Sequence, residues 1–208
     1  MPRISVSPPH PRLWSRFPAI YPVLLEGAGL ATIRLRPELD SNEIRVNAVP
    51  DEVTIPEGGV YKGYSLPVWS APAEHEELYF RQNLPRRWDE ASDITASVIA
   101  VIDTANTDKK FRLQLAWEHF AKGGVVPATS NIADLVEKDT GTAVQYQSFI
   151  CDFTIDYDID GAGNELKYGE VLTARLRRVA ASADEITGEV VIIDWYAQYR
   201  RNKLGSPV

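Results

Sequence analysis

From Leu84 to Arg200, apolar side chains return at every second position in one stretch after another. That is the period of a pleated strand with one face in a core and the other in water. In Phe111–Phe120 the side chains of Phe111, Leu113, Leu115 and Trp117 share one face, while Arg112, Gln114 and Ala116 share the other. Ile94–Ile102, Val144–Ile159, Glu170–Val179 and Glu189–Arg200 read as further strands. The expected fold is all-β, an antiparallel β-sandwich or jelly roll with an extended proline-rich N-terminal arm and at most one short helix. Ile94–Ile102 and Phe111–Phe120 are expected to pair as a hairpin across the turn-rich Asp103–Asp108. The helix is placed at Ser130–Lys138, where Ile132, Leu135 and Val136 stand at helical spacing behind a Ser130/Asn131 cap.

Upstream the pattern changes. Residues 1–22 hold Pro2, Pro8, Pro9, Pro11, Pro18 and Pro22, which fix φ and remove donors, so neither a helix nor a central strand fits. Large apolar groups sit among them, and a solvated tail has little use for those. Five arginines against Glu26 give residues 1–36 a side-chain charge of +4, on a chain whose net charge is −7. Arg12, Trp14, Arg16, Phe17 and Tyr21 are therefore the expected attachment residues, laid either across their own domain or on a neighbouring subunit. Three regions follow: an arm at 1–37, short strands and an acidic linker at 38–83, and the sandwich at 84–208. In the middle region Leu30–Arg36, Ile44–Val49 and Val60–Leu66 are strand-like, and 70–77 is the linker candidate.

With 44% hydrophobic and 25% charged residues the chain reads as globular. Its net negative charge argues against wrapping nucleic acid, which needs clustered Lys and Arg to displace counterions. A single cysteine, Cys151, excludes an intramolecular disulfide and a multi-cysteine zinc site. No run reaches the ~18 apolar residues of a membrane span, and the first residues lack the order of a signal peptide. Synthesis in a reducing cytoplasm is expected.

Candidate chemistry is sparse. Asp156-Tyr157-Asp158-Ile159-Asp160-Gly161 matches the opening of a calcium loop, but Lys167 stands where the loop needs its closing glutamate. The same residues also read as the end of a strand with alternate carboxylates in water before a Gly161–Asn164 turn. Gly123-Gly124 and Gly161-x-Gly163 read as turns, since no Lys-Ser/Thr follows either. His10, His75 and His119 show no metal-ligand spacing, and Cys151 reads as a small core residue. No catalytic residue, cofactor or metal is expected. Trp69, Trp88, Trp117, Trp195, Tyr196 and Tyr199 are either core rings or a sugar-stacking platform. Arg175, Arg177 and Arg178 are expected on a solvated or subunit-facing sheet face.

The order Leu84-Pro85-x-x-Trp88-Asp89, a strand ending near Trp117, Arg175-Leu176-Arg177-Arg178, then Asp184-x-x-x-Gly188 and a final strand rich in Trp and Tyr resembles a group of tailed-bacteriophage virion proteins. Gly188-Glu189 stands where that group has Gly-Asp. The resemblance spans residues 84–208 and implies a C-terminal jelly roll, often trimeric, attached to the particle by its N-terminal segment. The expected protein is thus a non-enzymatic decoration or fibre subunit of the capsid or neck, made in the host cytoplasm. Its expected partners are other virion proteins and copies of itself, with no nucleic acid or membrane. The alternative is a carbohydrate- or host-receptor-binding β-sandwich of a phage fibre or tail.

Overall fold

A computed structural model describes residues 30–34, 50–67, 76–85, 88–159 and 165–201. Within them lie strands β1 (Leu30–Arg34), β2 (Glu52–Ile55), β3 (Tyr61–Leu66), β4 (Glu77–Asn83), β5 (Ile94–Ile102) and β6 (Asn106–Thr107). There follow β7 (Lys110–Phe120), β8 (Asn131–Asp139), β9 (Thr142–Ala143), β10 (Ser148–Ile155), β11 (Val171–Val179) and β12 (Val190–Arg200). The described residues contain no helix. One antiparallel sheet runs β10-β5-β12-β3-β2, with β1 also on β12; the other runs β4-β11-β7-β8, and β6 and β9 form a small ribbon. From β3 onward, setting the ribbon aside, each strand lies in the opposite sheet to the one before it, except that β8 stays beside β7. The four-strand orders β3-β12-β5-β10 and β4-β11-β7-β8 are those of a double Greek key, a jelly roll.

The core lies between the sheets and follows from the alternation. Phe111, Leu113, Leu115 and Trp117 of β7 face Ile94, Ala96, Val98, Ala100 and Ile102 of β5, all buried. Each valine, leucine, isoleucine or phenylalanine among them contributes about 1.5–3 kcal/mol on leaving water. Two edge-to-face pairs cross the gap: Phe80 on Trp195, ring centroids 5.2 Å apart, and Phe111 on Phe149, 5.5 Å apart. In β12 the register slips between Ile192 and Asp194. That bulge turns Trp195, Ala197 and Tyr199 to the inner side already taken by Val190 and Ile192, which strict alternation forbids.

The outer side of the first sheet carries a smaller apolar cluster of Ile55, Val101 and Val191, with Val53, Tyr146 and Ile193 against it. There β3 presses close to β12. A Cβ on Gly63 falls 2.7 Å from both the Ile192 carbonyl oxygen and Val191 Cγ1, so only glycine fits.

Three expectations are corrected. Ile94–Ile102 and Phe111–Phe120 are strands, but in opposite sheets, joined by an arch instead of a hairpin. Ser130–Lys138 is not helical: Asn131–Asp139 is the edge strand β8, paired to β7 with a register slip between Leu115 and Ala116. Across that pair Leu135, opposite Gln114, is 46% exposed, while Val136, opposite Leu113, packs on the core. Finally, the sandwich does not begin at Leu84. β2 and β3 belong to one sheet and β4 to the other, because β12 and β11 need those neighbours to satisfy their backbone groups. Ile44–Val49, the arm before Leu30 and residues 70–75 of the linker lie outside the described residues.

Candidate functional site

The proposed attachment residues Arg12, Trp14, Arg16, Phe17 and Tyr21 lie outside the described residues, as do Trp69, His10 and His75. Of the candidate stacking rings, Trp88, Trp117, Trp195 and Tyr199 are buried at 2%, 1%, 3% and 9% exposure. They are core, and no sugar ring can stack on them. Tyr196 is half-buried on the outer side of β12.

The arginine run divides. Alternation along β11 sends Leu172, Ala174 and Leu176 inward, and with them Arg178, at 2% exposure. The expectation of an outward Arg178 is corrected: it is the charged terminus of an inner row. Its Nη2 and Nε donate to Glu185 Oε1 at 2.5 and 3.1 Å. Its Nη1 donates to the carbonyls of Gly188 at 2.8 Å and Leu66 at 3.3 Å, and Nη2 to that of Ile186 at 3.3 Å. One guanidinium fork thus ties β11 of one sheet to the end of β3 in the other and to the β11–β12 turn. Burial pulls Arg178 below the ordinary arginine range, and Glu185 opposes that pull. In the same turn Asp184 takes a left-handed φ of 50°, which aspartate tolerates. Gly188 has no room for a side chain, since a Cβ falls 2.0 Å from Asp103 Oδ1.

The other motif is also a fastener. Leu84 is paired through its backbone to Glu170 at 2.9 Å and Gly169 at 3.0 Å. Trp88 Nε1 donates to the Ser92 carbonyl at 3.1 Å. The Asp89 N–H donates to the Arg200 carbonyl at 2.9 Å, and the Asp89 carboxylate meets Arg200 Nε at 3.2 Å. This holds the crossing from β4 to β5 against the end of β12.

Arg175 and Arg177 do point outward, on the open face of the β4-β11-β7-β8 sheet. Both lean on Glu77 of β4, at 3.5 and 3.7 Å, and Arg177 Nε donates to Gln114 at 2.6 Å. Burial first, then Arg175, lowers the Arg177 pKa from its ordinary value. Beside them Tyr79, 38% exposed, donates its hydroxyl to Glu77 at 2.5 Å. Burial, then the Glu77 contact, pushes the Tyr79 phenol up to about 12. Two guanidinium groups sharing one carboxylate beside an accessible ring can accept an anionic or hydroxyl-rich surface. Glu77 and Tyr79 escaped the sequence reading, although Leu78 and Phe80 alternate with them.

The remaining candidates resolve into structure. His119 is buried, stacked on Trp117, with Nδ1 2.8 Å from Glu170. Cys151 is buried, and desolvation pushes its thiol up to about 12, which removes the thiolate a nucleophile needs. In the acidic stretch β10 ends at Ile155, and Asp156 Oδ1 accepts the Asp158 N–H at 3.0 Å, a local turn. Tyr157 packs partly on the core, whereas Ile159 is exposed; Asp160–Asn164 lie outside the described residues. Among the described residues no three His, Cys, Asp or Glu side chains gather as a metal site, and no helix is long and apolar enough to cross a membrane.

No protein-family model matches this chain. No curated protein matches it either. Among solved structures, a xylan-binding module aligns with a TM-score of 0.43 and 11% identity over 85% of this chain and 99% of its own. The Arthrobacter globiformis T6 isomalto-dextranase complexed with panose gives 0.42 and 13% over 82% of this chain, which spans only 23% of the length of that one. The infectious bursal disease virus Gx strain gives 0.37 and 9% over 85% of this chain and 33% of the viral one. At TM-scores of 0.37 to 0.43 none of these assigns a ligand or partner to the chain.

Proposed function

We propose that the chain is a non-enzymatic structural subunit of a virion, a capsid- or neck-associated decoration or fibre protein of a tailed phage. Its jelly-roll body self-associates, with a trimer favoured, and its proline-rich arm docks on neighbouring virion proteins. The observation that carries this reading is the use made of the motif residues. Trp88, Asp89, Arg178, Asp184 and Gly188 hold turns and sheet ends together, as in a protein selected for a rigid body. The test compares the full-length protein with one starting at Leu30, by light scattering after size exclusion and by co-sedimentation with purified virions. Equal trimer masses with virion binding lost in the shorter protein support the reading; a monomer that binds no virion in either form overturns it.

A second reading, a glycan-binding module, is favoured by the Tyr79, Arg175 and Arg177 surface. Glycan arrays with wild type and Tyr79→Ala distinguish the two: binding lost in the variant supports the module, and blank arrays for both remove it.

A further inference from the structure

The long strand β12 changes partner along its free side. Val190–Ile192 pair with β3, which then leaves to join β2. Tyr196–Arg200 pair instead with β1, in the register Leu30↔Arg200 to Arg34↔Tyr196. Among the described residues β1 pairs with nothing else. It fills a slot five residues long that is otherwise a bare strand edge, the kind of surface that recruits another chain.

The tether is far longer than closure within one chain requires. Arg34 lies opposite Tyr196, and Glu52 lies two strands out from Ile192, paired with Tyr64. Four residues along a strand and one strand spacing put these ends about 14 Å apart, at about 3.3 Å per residue and about 4.8 Å between strands. About five residues span that gap, whereas 17 residues separate Arg34 from Glu52 and reach about 60 Å when extended. The same backbone pairs form whether the strand comes from its own chain or from another, so exchange loses no contact, and linker length and local concentration set the balance.

We propose that in the assembled protein the slot along Tyr196–Arg200 is filled by residues 30–34 of a second copy, in the register given above, locking subunits together by strand exchange. The inference rests on the self-association in the proposed function. Arms that cross in this way draw the attachment segment of each subunit over its neighbour.

The test mixes full-length Thr32→Cys with full-length Gln198→Cys, the two positions being Cα partners; buried Cys151 does not compete. The mixture is unfolded, refolded together and oxidised. Exchange gives a covalent dimer on non-reducing gels that reduction removes and that neither variant oxidised alone forms. Leu30→Cys with Arg200→Cys is the second pair, in case the first disturbs folding. No heterodimer from either mixture, with Thr32→Cys/Gln198→Cys closing within one chain, overturns the exchange. Light scattering on the same samples separates the two failures: an oligomer with intrachain closure overturns exchange alone, whereas a monomer overturns self-association as well.

Discussion

Arg178, buried, and Glu185, partly exposed, form an ion pair, 2.5 Å between Nη2 and Oε1, across the end of the sandwich where the two sheets are joined. The arginine side chain is shut off from water, and every remaining donor of its fork meets a backbone carbonyl. Replacing it removes a charge from Glu185 and leaves the carbonyls of Leu66, Gly188 and Ile186 without their donor. Arg178→Ala is expected to destabilise the protein by about 3–5 kcal/mol. Arg178→Lys should recover only a minor part of that, because an ammonium cannot reproduce the planar fork. Urea unfolding checks both, and a lysine variant as stable as wild type refutes the role given to the fork.

Gly63 is fixed by contact. With the Ile192 carbonyl and Val191 Cγ1 both 2.7 Å from the position of a Cβ, Gly63→Ala forces β3 off β12. The expected loss is about 1–3 kcal/mol, the usual range for overpacking. Adding Val191→Ala should restore little of it, since the backbone carbonyl stays in place. Full recovery in the double variant, measured by chemical denaturation, places the conflict in the side chain alone.

Glu76 makes stability depend on pH. Burial first, then Asp51 and Glu189, pushes its carboxyl from 4.5 up to about 7. The folded state holds this proton more tightly than the unfolded chain, so the group's contribution is full below 4.5 and is lost as pH rises through about 7. Between those values the unfolding midpoint of wild type is expected to fall, and Glu76→Gln should flatten that fall. An unchanged pH profile assigns the dependence to other groups.

Cys151 reports opening of the core. Its thiol is buried on β10 and raised to about 12, so a thiol reagent at mildly alkaline pH should leave the native protein unlabelled and modify one thiol per chain once it is unfolded. Labelling of the native protein at the rate of a free thiol contradicts the burial of Cys151 in the core between the two sheets.

The all-β class and the location of most strands were legible in the residue pattern. Ile94–Ile102 is β5 to the residue, and Phe111–Phe120, Glu170–Val179 and Glu189–Arg200 each lie within one residue of β7, β11 and β12 at either end. A period of two reports which side of a strand is buried, and burial is a local consequence of side-chain type. It does not report which strand lies alongside. β5 and β7 show the difference: both alternate, both face one core, and they sit in opposite sheets. At Ser130–Lys138 ordinary alternation puts neighbouring Leu135 and Val136 on opposite sides of β8, yet two adjacent apolar residues three and four positions after Ile132 read as helical spacing in one dimension. Arg178 is the sharpest case. In a row with Arg175 and Arg177 it reads as solvated, and parity along β11 turns it inward. Yet it is tolerable there only because Glu185, Leu66 and Gly188, from a turn and from the opposite sheet, arrive to satisfy it. Side-chain chemistry sets which surfaces must leave water, whereas the partners that a buried charge or an open edge requires come from distant parts of the chain and exist only once the two sheets have closed on each other.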